Sequence, residues 1–152
     1  MPKPSEEEFT TYANAPSRIS TLIQGLDSAA LNYTPAEDEW SIHEILVHLA
    51  DSELVGSWRI RRAIAEPGTT IQAYDEATWA KAMNYKHQNS SAALQLFSAL
   101  RTSNTQLLRS LPDEVWEHSV VHSENGTMSL YDVFETYIRH IDTHIQQIEQ
   151  LK

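Results

Sequence analysis

Trp40-Ser41-Ile42-His43-Glu44-Ile45-Leu46-Val47-His48-Leu49-Ala50-Asp51-Ser52-Glu53 announces the start of a long helix. Ser41 and Glu44 have the spacing of a capping box, in which each side chain satisfies the other residue's free backbone N–H. Trp40 and Ile45 stand where a hydrophobic staple fixes the incoming chain. Beyond the cap, Ile42, Ile45, Leu46, Leu49, Gly56, Ile60 and Ile64 define one face, and Pro67-Gly68 ends the element. Such a helix must bury its apolar face against other elements, and the rest of the chain supplies helices to do so.

Upstream, Ser5 and Glu8 repeat the capping-box spacing, and Phe9, Tyr12, Pro16, Ile19, Ile23 and Leu26 recur every three or four residues. Pro16 lacks an N–H, so a kink or break is expected there. Downstream, a third helix is expected from about Ser90 to Leu111, carrying Ala93, Phe97, Leu100, Asn104 and Leu107, with Pro112 as its stop. The fourth starts at Ser129, with Asp132 supporting the cap. Leu130, Phe134, Tyr137, Ile141, Ile148 and Leu151 follow, and His144 fills the vacant place between Ile141 and Ile148.

Two connectors separate these helices. Residues 67–89 include a short helix from Asp75 to Met83 around Trp79, and a connector this long can cross the end of a bundle. The second and third helices need not then be antiparallel neighbours. Residues 113–128 read as irregular, with a small hairpin suggested by Val120-Val121 and Glu124-Asn125-Gly126. The expected architecture is all-α: a four-helix bundle with a long crossover between helices 2 and 3, in one domain over residues 1–152.

Composition narrows the function. The chain has 152 residues and no cysteine, which removes disulfides, thiolate metal sites and a cysteine nucleophile. Eleven basic residues against 21 acidic ones leave a formal charge of −10, a poor match to the basic patches that neutralise nucleic-acid phosphates. Nucleic acid is therefore not an expected partner. No apolar run approaches a membrane span, and Met1-Pro2-Lys3-Pro4-Ser5-Glu6 is not a secretory signal, so a cytoplasmic location is expected.

The chemistry lies with the seven histidines, at positions 43, 48, 87, 118, 122, 140 and 144. His140 and His144 are four apart on a helix, so their Cβ atoms are about 5–6 Å apart on one face. Two imidazoles there can converge on one ion at about 2.0–2.1 Å per bond. His144 lies inside the apolar arc and His140 at its edge. The plainer reading is two half-buried histidines satisfied by hydrogen bonds. A third ligand must come from another helix, and His48, beside the Ile45–Leu49 face with small Ser52 one turn on, is the best candidate. His43 points elsewhere and reads as a surface residue. His118 and His122 would be about 13 Å apart along a strand, too far to chelate together, and read as exposed or pocket-rim residues. His87 reads as solvated. Glu53, inside the apolar arc, could orient a ligand or move a proton, but a lone buried charge is costly, so pairing with an Arg or Tyr is favoured. Asn104 could hydrogen-bond across the bundle or mark a pocket mouth.

These residues resemble the DinB-like superfamily of small metal-binding bundles. The likeness is carried by the stretch from Trp40 to Glu53 and by His140-Ile141-Asp142-Thr143-His144-Ile145-Gln146-Gln147-Ile148. Tyr74-Asp75-Glu76, Trp79 and Gly126-Thr127-Met128-Ser129-Leu130 add to it. The resemblance implies a four-helix bundle with a three-histidine site at His48, His140 and His144, the same set the spacing selects. Members are often described as metal-dependent hydrolases, some relatives use low-molecular-weight thiols in transferase or isomerase reactions, and homodimers are frequent.

Three neutral imidazoles would leave a divalent ion at least one open position for water, substrate or a thiolate, with zinc and nickel the leading ions. The expected function is thus a metal-dependent enzyme, a hydrolase or thiol S-transferase acting on a small molecule. The alternative is a noncatalytic metal-binding or stress-response module. The catalytic residues beyond the ligands are not specified by the sequence.

Overall fold

The computed structural model describes residues 2–152; residue 1 of the expected domain lies outside them. Four long helices form the bundle: α1 (Glu6–Ile23), α3 (Ile42–Ala65), α5 (Ser90–Arg109) and α6 (Leu130–Leu151). Shorter elements join them: α2 (Ser28–Asn32), β1 (Thr70–Ile71), α4 (Glu76–Ala82), β2 (Ser119–His122) and β3 (Gly126–Ser129), with 3-10 turns at Tyr85–His87 and Asp113–Glu117. Among the described residues no helix is long and apolar enough to cross a membrane.

Local chemistry sets the helix starts. Ser5 with Glu8, Ser41 with Glu44, and Ser129 with Asp132 each make both bonds of the reciprocal cap. Asp27, Asp75 and Asn89 cap α2, α4 and α5 by accepting from the backbone N–H three residues on. Caps of this kind contribute about 1 kcal/mol each.

Of the kink or break expected at Pro16, the break does not occur: helix α1 runs through it. The carbonyl that a residue-16 N–H would have engaged is that of Tyr12, four residues back. Arg101 Nη1 donates to this Tyr12 oxygen at 2.9 Å instead. The bond missing within α1 is replaced by one from α5.

Contacts along the helices establish their directions. Glu53 meets Arg101 and Arg61 meets Asn104, so positions on α3 and α5 rise together and these helices are parallel. Glu6 meets Arg109 while Tyr12 meets Arg101, so α1 is antiparallel to α5. His48 lies by His144 and Gly56 by Tyr137, so α3 is antiparallel to α6. Parallel neighbours cannot be joined by a tight turn, which explains the long segment between α3 and α5.

That segment also contributes an unforeseen strand. β2 and β3 form the anticipated antiparallel hairpin, with Val120 opposite Met128, and β1 adds to it in parallel, with Thr70 opposite Val121 and Ile71 opposite His122. Two residues are too few to show any strand periodicity in the sequence. The sheet covers the C-terminal end of α3, where His118 Nδ1 lies 3.2 Å and 3.1 Å from the carbonyl oxygens of Ala63 and Ile64.

The core has two main apolar regions. One, around Phe9, Tyr12, Trp116, Leu130 and Phe134, joins the bundle to the sheet. The other, around Ile19, Ile42, Ile45, Leu49, Phe97, Ile141 and Ile148, fills the opposite end. Fully burying each large side chain contributes roughly 1.5–3 kcal/mol. A buried polar group set on Glu53, Arg101, Asn104 and Tyr12 bridges the helices.

Candidate metal centre

His48 on α3 and the pair His140 and His144 on α6 lie side by side where these antiparallel helices face each other. Ring centroids are 4.8 Å apart for His48 and His144, 4.5 Å for His140 and His144, and 6.2 Å for His48 and His140. The helical spacing of the α6 pair and the antiparallel course of α3 bring them together.

Two of the rings are deeply enclosed. His48 is 0% exposed and His144 4%. His48 Nδ1, His48 Nε2 and His144 Nε2 are buried with no hydrogen-bond partner. Buried polar atoms are nearly always partnered, so three orphaned nitrogens within one cluster call for an explanation. His144 Nδ1 lies 2.9 Å from Gln147 Oε1. A carboxamide oxygen can only accept, so Nδ1 carries the proton and Nε2 keeps a free lone pair. Gln147 thereby selects the tautomer that a metal ligand needs.

The electrostatics favour neutral rings. Burial pushes His48 down to about 3, aided by the neighbouring His144 and His140. Burial also takes His144 down to about 4, against the opposing effect of its bond to Gln147, with His140 adding to the fall. Imidazoles must be unprotonated to ligate, and these two are so at neutral pH.

Trp40, the residue before the α3 cap, lays its ring 4.8 Å from that of His48. From the crossover, Glu76 Oε2 comes within 3.7 Å of His48 Nε2. Beside these groups a cleft is lined by Asp38, Glu39, Trp40, Ile45, Ala77, Gln147 and Leu151. Among the described residues no three His, Cys, Asp or Glu side chains already stand arranged to hold an ion. The three rings are thus grouped without a finished coordination shell, while their unpartnered nitrogens suit a cation.

The profile of the DinB superfamily matches residues 11–148. The chain belongs to the DinB superfamily.

Among relatives of this DinB-superfamily chain, a Halalkalibacterium halodurans protein is 28% identical over 144 residues, covering 95% of this chain and 82% of its own. The Bacillus subtilis protein YfiT is 25% identical over 137 residues, covering 90% and 77%. Both carry names that give metal-dependent hydrolase as an unproven assignment. The solved structure of YfiT, described as having an unusual four-helix bundle topology, superposes with a TM-score of 0.88 at 23% identity, covering 99% of this chain and 91% of that one. A mycothiol-dependent maleylpyruvate isomerase shares the fold at a TM-score of 0.73 and 18% identity; this chain spans 96% of itself and 61% of that longer protein.

Three of the four remaining histidines of this DinB-superfamily member have structural work. His43 is not a free surface residue: it is half-buried, with Nε2 3.0 Å from the Tyr85 carbonyl oxygen, tying α3 to the crossover. His122 is 9% exposed, and its Nδ1 accepts from the backbone N–H of Glu124 and Asn125, both at 3.1 Å, shaping the hairpin turn. His118 precedes β2 and is bound to the end of α3 rather than standing at a pocket rim. His87 is exposed. Glu53 pairs with Arg101 and accepts from Tyr12 Oη at 2.6 Å, and Asn104 bonds across the bundle to Tyr12 and Ser57.

Two residues at the cluster escaped the sequence reading. Gln147 follows His144 by three positions, a spacing that places both on one helix face, and could have been noticed. Glu76 reaches the cluster from the crossover, and no local pattern connects it to His48.

Proposed function

We propose that this chain is a metal-dependent enzyme acting on a small molecule, by hydrolysis or thiol transfer, with a divalent ion held by His48, His140 and His144. The carrying observation is the set of orphaned nitrogens, His48 Nδ1 and Nε2 and His144 Nε2, buried in one group of three rings. The names of the bacterial relatives support the hydrolytic form, and the isomerase with the same fold supports the thiol form. Zinc and nickel both accept imidazole nitrogen, and either suits this donor set.

When bound, the ion would supply a positive centre with an open position for water, a thiolate or a substrate oxygen. The chain's own residues do the rest. Gln147 holds His144 in the ligating tautomer. Trp40 covers His48 and, with Ile45 and Leu151, gives the adjoining cleft an apolar wall against which a small substrate can lie. Glu53 is not placed to move protons: Arg101 and Tyr12 already occupy its oxygens inside the bundle.

The test is elemental analysis of the purified protein, followed by turnover of activated esters and low-molecular-weight thiol substrates by the metal-loaded form. Turnover should disappear on chelation and in His144→Ala, and should survive in His43→Ala. Metal uptake with no turnover of either class would favour the noncatalytic binding module. Activity that persists after thorough metal removal would overturn the proposal.

A further inference from the structure

Glu76 is the first residue of α4, in the crossover that joins the parallel helices α3 and α5. Its Oε2 stands 3.7 Å from His48 Nε2, its one ion-pair contact among the described residues. That separation is too long for a hydrogen bond, so no shared proton holds the two together. The His48 ring is fully enclosed and neither of its nitrogens has a partner. A neutral imidazole carries one N–H and one lone pair, and on His48 neither is engaged. In the tautomer with its lone pair on Nε2, that nitrogen and the Glu76 oxygen repel unless a cation lies within reach of both.

The distance itself is informative. Two donors, an imidazole nitrogen and a carboxylate oxygen, bound to one zinc ion at ordinary bond lengths and a tetrahedral angle are roughly 3.3–3.5 Å apart. The Glu76–His48 separation is close to that value. Glu76 also differs from the histidine in freedom. Its side chain is 42% exposed while that of His48 is 0%, and it sits on a seven-residue helix outside the four-helix core.

We propose that Glu76 is a fourth protein ligand of the ion, an inference that rests on the metal reading above. It closes the shell when no substrate is bound and yields its position when one arrives. The three histidines belong to the rigid bundle and keep the ion in place. The carboxylate belongs to the crossover and can swing into solvent without unfolding a core helix. Its negative charge also offsets part of the ion's charge, which three neutral imidazoles leave untouched.

Cobalt(II) is the probe, titrated into metal-free full-length wild type, Glu76→Gln, Glu76→Asp and His144→Ala. Wild type should bind, and Glu76→Gln should bind about 10- to 100-fold more weakly with a visible spectrum changed in intensity and position. Glu76→Asp should recover part of the affinity. A Glu76→Gln protein with wild-type affinity and spectrum would overturn the proposal and leave the three-histidine reading intact. Weaker binding with an unchanged spectrum would also overturn it, since a remote charge alters affinity without altering the coordination shell. Failure of wild type to take up cobalt at all would reject the metal reading itself, and this inference with it. Circular dichroism of each metal-free variant confirms that the comparison is between folded proteins.

Discussion

Arg101 and Glu53 form an ion pair sealed inside the bundle, Nε to Oε1 at 2.6 Å, with side chains 3% and 1% exposed. The guanidinium also donates to the carbonyl oxygens of Tyr12 and Tyr137, so one side chain joins α5 to α1, α3 and α6. Removing one partner leaves a buried charge uncompensated, which typically costs about 3–5 kcal/mol. Arg101→Met should therefore lower the urea-unfolding free energy by that order. The double variant Arg101→Met with Glu53→Met should recover much of the loss. Equal stability of the single and double variants would show that the carboxylate is not the source of the penalty.

Gly56 is required by Tyr137. A Cβ at position 56 would lie 2.5 Å from Tyr137 Cζ and 2.6 Å from Cε1. Alanine ordinarily stabilises a helix interior by about 1 kcal/mol relative to glycine. Here overpacking against a buried ring should reverse the sign, with a net loss of about 1–2 kcal/mol. Thermal unfolding of Gly56→Ala measures it, and a raised midpoint would mean that the ring moves aside freely.

Gln147 should matter through His144. With its oxygen replaced by carbon, Gln147→Leu can no longer hold the Nδ1 proton, and either tautomer becomes available. Metal affinity should fall about 10-fold, the lower end of what such orienting groups contribute. Gln147→Glu keeps an acceptor and should retain most of the affinity. Competition against a chromophoric chelator distinguishes the two, and equal losses would argue against the tautomer role.

Acid should destabilise the metal-free protein earlier than its carboxylates alone would. His48 and His144 are held down to about 3 and about 4 in the folded chain, against about 6.5 when unfolded. Between about pH 4 and 6.5 the unfolded chain binds protons that the folded chain refuses, so stability is complete above 6.5 and falls as pH falls. Each group contributes a slope of up to about 1.4 kcal/mol per pH unit in that window. Denaturant unfolding in chelator at pH 7, 6 and 5 should show this slope, and His144→Gln should reduce it. A wild-type profile flat across the window would contradict the burial argument.

The readable parts of the molecule were those governed by neighbours in sequence. The caps at Ser5, Ser41 and Ser129 depend on residues three positions away, and the starts of α1, α3 and α6 follow from them. His144 stood out because it occupied an apolar position in the α6 series. The helix continues through Pro16 for the opposite reason: Arg101 on another helix serves the Tyr12 carbonyl, and no local rule contains that contact. His43 and His118 were misread because the carbonyls they meet, those of Tyr85 and of Ala63 and Ile64, lie on other elements.

By itself the chain's residue order determined where the long helices begin, which faces they bury, and that histidines on two of them stand at the core boundary. Hydrogen bonds over three or four positions and apolar periodicity are short-range, so they can be read along a line. Only the folded arrangement decided that α3 and α5 run parallel, that Gln147 orients His144, and that the crossover delivers Glu76 to His48. Those relations depend on how separate elements dock, and docking is set by packing and charge summed over the whole interior.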